Sequence, residues 1–196
     1  MINSTAIILA GGKSSRMNYE NKALLEYNGK TFLDIAIEKV IRFDEILIIT
    51  SKFNKYNYEG IRILEDIIPD QGPLGGIYTG LKNARNNISV VLPCDTPLLD
   101  AQLLEYFLEA CNGYDGVVPK VDGHYQPVCA AYTKKCLDIF EKSLLNGIKK
   151  LPDLFEKLNL YYVSRGEIEK YGNYESMFSN INTKLDYKKI IDNERG

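Results

Sequence analysis

Apolar residues fall along this chain in short unbroken runs, separated by stretches with helical spacing. Residues 6–9 form one run, stopped by Gly11-Gly12; residues 46–49 form a second, ended by Thr50-Ser51. Residues 61–64 precede Glu65-Asp66, and residues 88–92 end at Pro93. Runs of this length without polar alternation predict strands buried on both faces. Between them, residues 31–41 place Phe32, Leu33, Ile35, Ala36, Ile37, Val40 and Ile41 at helical intervals, with Thr31 or a neighbour available as a cap, and residues 74–84 read the same way. Strand and helix in alternation predict an α/β fold: three layers, a mostly parallel Rossmann-like sheet, helices on both faces.

The second half is less regular. Residues 103–111, 137–145 and 151–158 read as helices, residues 114–119, 127–132 and 160–163 as strands, and residues 186–193 as a closing helix. No repeat, low-complexity tract or Pro/Gly/Ser-rich linker divides the chain, so residues 1–196 are expected to form a single domain. A chain of 196 residues with 45% hydrophobic and 26% charged residues has the composition of a soluble globular protein. Lys plus Arg (24) nearly balances Asp plus Glu (26), which argues against a global field for nucleic acid. The apolar runs are far shorter than a membrane span needs, and residues 1–5 lack the positive stretch of a secretory leader. Four cysteines without a C-x-x-C pair and a single histidine argue against a structural zinc site and fit a reducing cytoplasm.

Chemistry is expected where the strands end, since open α/β sheets bind ligands outside their carboxyl edges. The first exit, Ala10-Gly11-Gly12-Lys13-Ser14-Ser15-Arg16-Met17, fails as a Walker A loop, because Ile7 stands where its first glycine belongs. It fails as a G-x-G-x-x-G loop too. What is left is a glycine pair, hydroxyls and two cations, with Lys22 shortly after. Paired glycines let backbone N–H groups form an anion nest, Arg16 supplies a planar fork and a lysine a point charge. These residues read either as a polyphosphate loop or as a solvated turn. The fourth exit, Pro93-Cys94-Asp95-Thr96-Pro97, holds a carboxylate between two prolines. Facing a phosphate loop, Asp95 suits a Mg²⁺ site, since that ion takes one or two carboxylates plus substrate phosphates; as an alternative, Asp95 caps a following helix.

These residues carry a resemblance. Leu9-Ala10-Gly11-Gly12-Lys13-Ser14-Ser15-Arg16-Met17 with Lys22 resembles the signature loop of the GT-A-type nucleotidyltransferases. Gly72-Pro73-Leu74-Gly75-Gly76, Pro93-Cys94-Asp95-Thr96-Pro97, Gln126-Pro127-Val128 and Phe178-Ser179-Asn180-Ile181-Asn182-Thr183 extend the likeness, in order, to the molybdenum cofactor guanylyltransferase family. The resemblance implies Mg²⁺-dependent transfer of GMP from GTP to the phosphate of molybdopterin, with pyrophosphate released. It implies that Leu9, Ala10 and Gly11, with Gly12 and Lys13, line the nucleotide, that Lys22 and Arg16 neutralise or steer the triphosphate, and that Thr50 and Asp66 contact the nucleoside. It further implies that Asp95 holds the metal and that Asn180 or Asn182 touches the metal or the acceptor. Transient contacts with cofactor-delivery proteins belong to the same expectation; nucleic acid and membrane do not. Asn18 and Asn21 depart from the family's glycine and aspartate. Two other readings stay open: a cytidylyltransferase acting on molybdopterin or on a sugar or polyol phosphate, and a non-catalytic nucleotide-binding protein. Gly11, where cytidylyl relatives more often carry alanine, leaves room for a purine.

Several conspicuous residues read as structural. His124 belongs to a turn, Cys94 has no base beside it to make a nucleophile, and Lys149-Lys150 and Lys188-Lys189 are solvated helix-boundary pairs. Strand alternation sends Glu65 and Asp66 to opposite faces, so one of the two reaches the site.

Overall fold

The first apolar run becomes the strand β1, Ile2–Leu9, and two neighbours flank it in parallel: β4, Phe43–Thr50, and β6, Ile88–Pro93. The computed structural model describes residues 2–11, 22–50 and 57–181. Alternate side chains of these strands enter different cores, as the two-residue strand period requires. Ala6, Ile8, Ile46 and Ile48 pack beneath the helices α1, Phe32–Lys39, and α3, Ala101–Ala110. Ile7, Leu47 and Ile49 pack beneath α2, Gly72–Asn83, and α4, Leu137–Leu145. Two cores on two faces are the three expected layers.

The sheet is completed by β5, Arg62–Glu65, beside β4, and on the other side by β9, Ala130–Thr133, β7, Gly116–Val121, and β10, Leu160–Val163. The order across it is β10-β7-β9-β6-β1-β4-β5, and along this path only β9 runs against the rest. A short hairpin arm, β8 at His124–Tyr125, pairs with β7, and a second hairpin joins β2, Glu26–Tyr27, to β3, Lys30–Thr31. Two single-turn helices, α5 at Arg165–Ile168 and α6 at Tyr174–Met177, lead the chain back across the sheet's edge.

Local rules explain most boundaries. Thr31 caps α1 in a capping box: its hydroxyl accepts from Asp34 N–H, and the Asp34 carboxylate accepts from Thr31 N–H at 3.1 Å. α2 enters through Asp70 and Gly72, both at positive φ (60° and 62°), and Pro73 stiffens its first turn. α2 then lies so close to β1 that a Cβ on Gly80 would stand 2.7 Å from two side-chain carbons of Ile7.

Three expectations need correction. Residues 151–158 are not an α-helix but a 3₁₀ turn over Leu151–Lys157, opened by Pro152 and lacking a side-chain cap. In that geometry residues i and i+3 eclipse, so Leu151 and Leu154 enter the core together. The strand expected over 127–132 begins only at Ala130, because Cys129 N–H turns back to the Gln126 carbonyl at 3.1 Å. β7 starts later than expected because Tyr114 N–H closes a turn onto Cys111, after which Asp115 N–H is taken by the Asn159 carbonyl. The expected helix over 186–193 lies outside the described residues. Among the described residues no helix is long and apolar enough to cross a membrane.

Candidate active site at the carboxyl edge of the sheet

Register brings the strand exits to one level. Leu9 lies opposite Ile49 on one side and Pro93 on the other, and Thr50 lies opposite Glu65. The ladder runs one step past each strand: Ala10 N–H donates to Ile49 O at 2.8 Å, Cys94 N–H to Leu9 O at 3.1 Å, and Asp66 N–H to Thr50 O at 3.1 Å. The Leu9 carbonyl and the Ala10 N–H therefore already serve the sheet. Of the expected nucleotide-lining backbone, Gly11 is the first residue beyond these bonds, and it is exposed.

Asp95 stands at the end of β6, and Lys22 Nζ lies 3.4 Å from its Oδ2. Lys22 opens a 3₁₀ turn, Lys22–Leu24, held when Leu25 N–H bonds back to the Lys22 carbonyl at 3.1 Å. Burial pushes the Asp95 carboxyl above its usual range, and Lys22 only partly offsets that. The helix-cap alternative for Asp95 fails, since α3 is capped by Asp100, which accepts from Gln102 and Leu103 N–H at 2.8 and 3.1 Å. On the far side, Ile181 N–H donates to the Asp95 carbonyl at 3.0 Å, which brings Asn180, itself exposed, beside the same loop. This backbone link carries no sequence signal of its own beyond the late Asn-Ile-Asn motif.

Asp66 is the second carboxylate. It follows β5 and leans against the first turns of α2, where a Cβ on Gly76 would come within 3.4 Å of Asp66 Oδ1 and 3.0 Å of Leu9 Cδ2. Asp66 Oδ1 is buried and accepts no hydrogen bond among the described residues, and burial pushes the carboxyl up to about 6. Glu65 points the other way and is exposed, as strand alternation requires. Thr50 is buried, with its carbonyl bound to Asp66. The edge thus joins Gly11, Lys22, Thr50, Asp66, Asp95 and Asn180. Gly12, Lys13, Arg16 and Asn182, expected here too, lie outside the described residues.

Other candidates fall away from the chemistry. Burial pushes the Cys94 thiol up to about 12, which leaves no thiolate for nucleophilic work. His124 is exposed on β8, rather than in the turn itself, and Lys149 and Lys150 are exposed, with Lys149 Nζ donating to the Asp70 carbonyl at 3.0 Å. Among the described residues no three His, Cys, Asp or Glu side chains cluster as a metal cage. The half-buried Asp95 carboxylate does fit Mg²⁺, which keeps several waters and draws its other ligands from substrate phosphates.

Residues 6–160, from within β1 to the start of β10, match the MobA-like NTP transferase domain.

The chain belongs to the MobA-like NTP transferase family.

Its relatives within that family extend the match over nearly the full length. A probable molybdenum cofactor guanylyltransferase of Clostridium perfringens is 39% identical over 193 residues, covering 97% of this chain and 98% of the relative. Another so named, from Pelotomaculum thermopropionicum, is 35% identical and covers 96% and 92%. The crystal structure of molybdopterin-guanine dinucleotide biosynthesis protein A from Archaeoglobus fulgidus superposes with a TM-score of 0.83 at 25% identity, covering 97% and 99%. The MobA-like assignment accounts for the mixed, mostly parallel sheet and for the grouping of its motifs at one edge.

Proposed function

We propose that this chain is a molybdenum cofactor guanylyltransferase, transferring GMP from GTP to the phosphate of molybdopterin in the cytoplasm and releasing pyrophosphate. An oxygen of the acceptor phosphate attacks the α-phosphorus of GTP, and the bond from that phosphorus to the bridging oxygen of the β-phosphate breaks. A nucleophile that is already an anion needs no strong general base. Its repulsion from the triphosphate must be offset, and its line of attack held. The observation that carries this reading is the Lys22–Asp95 pair at the end of β6, 3.4 Å apart, in a chain of this family.

Lys22 supplies positive charge at the phosphates. Asp95 would hold Mg²⁺, which when bound adds positive charge to the triphosphate and to the leaving pyrophosphate. Lys13 and Arg16 complete the cationic set in this reading. Asp66 accepts from the nucleoside: the N1–H and N2–H₂ edge of guanine presents adjacent donors to one carboxylate, a pair that cytosine lacks. Thr50 and the Gly11 backbone line the nucleoside and phosphates, and Asn180 with Asn182 meets the acceptor side. Residues 1–196 act as one domain, the parallel half taking the nucleotide and the mixed half the acceptor.

A nucleotide panel tests the reading: thermal shift with GTP, CTP, ATP and UTP, each with and without Mg²⁺, followed by pyrophosphate release with molybdopterin. A Mg²⁺-dependent shift selective for GTP, with acceptor-dependent pyrophosphate, is expected. Faster turnover of CTP makes the protein a cytidylyltransferase, and the absence of any nucleotide shift overturns the catalytic reading.

A further inference from the structure

On the sheet face that carries α2 and α4, the mixed half presents an aromatic group that the nucleotide chemistry leaves unused. Tyr125 on β8 and Tyr162 on β10 have ring centroids 5.6 Å apart. Tyr125 stands edge-on to Phe155, at 5.1 Å and 84°, and Phe155 is itself buried in the core. Lys120, paired with Tyr125 across the hairpin, holds its ammonium 4.9 Å from one ring centre and 5.3 Å from the other. In this shelf Phe155 fixes Tyr125 from beneath, the Tyr162 ring is tilted 46° to it, and the outer side is covered by the exposed Lys120 chain, with Tyr162 itself 38% exposed.

Its position relative to Asp95 matters as much as its composition. Tyr162 stands three strands out from β6, about 15 Å at the usual strand spacing, and Tyr125 bridges inward from it. The chain leaving Tyr125 enters the Gln126–Cys129 turn at once. That turn is tied toward the same edge: Gln126 Nε2 donates to Tyr174 Oη at 3.0 Å. Tyr174 opens the segment whose Ile181 N–H holds the Asp95 carbonyl. Tyr125, on the stretch that continues into β9, stands only one strand position from β6, so a flat substrate with its phosphate on a short arm would place its ring against Tyr125 and its phosphate toward Asp95.

We propose that Tyr125, Tyr162 and Lys120 form the subsite for the fused heterocycle of the acceptor. The inference rests on the acceptor being a phosphorylated pterin. Aromatic side chains stack on heteroaromatic rings irrespective of sequence context, and the Lys120 ammonium, freed from the exposed ring faces, donates to a ring carbonyl oxygen. No covalent step is involved: the shelf binds and orients.

The test measures molybdopterin binding by quenching of its pterin fluorescence, and acceptor and GTP KM values by pyrophosphate release, in wild type, Tyr162→Ala and Lys120→Ala. Tyr125→Leu is added with a thermal melt, since Tyr125 rests on the core. Tyr162→Ala is expected to weaken molybdopterin binding roughly 5- to 150-fold, the range that one aromatic stack is worth, with the GTP-induced shift unmoved. Unchanged acceptor binding in Tyr162→Ala and Lys120→Ala, while wild type binds and turns over molybdopterin, overturns the shelf and leaves the guanylyltransferase reading intact. A rise in the GTP KM instead of the acceptor KM overturns it as well. Wild type that shifts with GTP but neither binds nor uses molybdopterin removes the acceptor reading, and the shelf with it.

Discussion

Carboxylates withdrawn from water stand at both ends of this sheet, and folding shifts their pKa values in opposite directions. At the amino end, Glu45 on β4 is buried to 6% exposure and fully partnered. Thr5 Oγ1 donates to it at 2.8 Å, Arg85 N–H at 2.7 Å and Arg62 Nη1 at 2.8 Å. Burial pushes the Glu45 carboxyl up, but the Arg85 amide, the Thr5 hydroxyl and Arg62 together hold it below the usual range. At the carboxyl end, Asp66 and Asp95 are also withdrawn from water, and both are pushed up, because protein donors are too few to compensate. Glu45 and Thr50, whose carbonyl binds Asp66, lie five positions apart on one strand. A folded protein that surrounds Glu45 with donors, gives Asp95 only Lys22 and leaves Asp66 Oδ1 without a hydrogen bond among the described residues marks the carboxyl edge as the candidate binding end. The well-partnered end stabilises the fold, and the sparsely partnered end costs stability where the proposed site lies.

That contrast is open to attack by mutation. The largest effect is expected from Asp95→Ala, about 10²- to 10³-fold lower turnover in the pyrophosphate assay with an unchanged or raised melting temperature. Near-wild-type activity would remove Asp95 from the metal site. Glu45→Ala should do the reverse, leaving three donors, Thr5 Oγ1, Arg85 N–H and Arg62 Nη1, without this acceptor. About 2–4 kcal/mol of unfolding free energy should be lost in urea denaturation, with the GTP KM of the folded fraction unaltered. Its pH signature has a definite sign. A carboxyl held low in the folded state adds stability above its unfolded pKa and loses it as pH falls through the folded one. Glu45→Gln should therefore flatten the acid limb of the stability profile, and an unaltered limb would show that Glu45 is not what acid attacks.

Asp66 carries the opposite sign. Its folded pKa of about 6 lies above the ordinary 3.8, so its contribution is present below pH 4 and is lost as pH rises through 6. Asp66→Asn should raise stability at pH 8 by about 1–3 kcal/mol and weaken GTP binding, a gain and a loss from one substitution. In wild type the same ionisation should make GTP affinity rise between pH 5 and pH 7, read by titration calorimetry; a flat profile would separate Asp66 from the nucleoside. The smallest expected effect belongs to Tyr174→Phe, which removes the bond from Gln126 Nε2. About 0.5–1.5 kcal/mol, or a few-fold rise in the acceptor KM without change in the GTP KM, would confine that contact to the mixed half.

Much of the nucleotide half is legible in the order of its residues. The runs at 6–9, 46–49, 61–64 and 88–92 all form parallel strands, and Thr31 caps its helix, because local pattern and cap chemistry act over a few residues. The hairpin at Asn28-Gly29, with both residues at positive φ, carries an equally local signal, but its polar flanks hide it from a search for apolar runs. The mixed half is less legible. β7 begins only where Asp115 N–H meets the Asn159 carbonyl, 44 positions away, while the 3₁₀ turn, the delayed β9 and the short α5 and α6 rest on local bonds that no apolar run marks.

The order of residues alone determined the α/β class, the strand exits and the identity of the groups placed there: glycines that can approach phosphate, a lysine, and two aspartates after apolar runs. These follow from short-range periodicity and from side-chain chemistry, which the chain carries wherever it folds. Tertiary structure decided which of these groups meet and in what electrical state. Lys22 and Asp95 are 73 positions apart in sequence and 3.4 Å apart in space. Glu45 and Asp66 are the same chemical group, and only the donors that folding brings to one and denies the other make the first a stabilising anchor and the second a candidate site. Desolvation and partnering are properties of surroundings, and surroundings exist only once the chain has closed on itself.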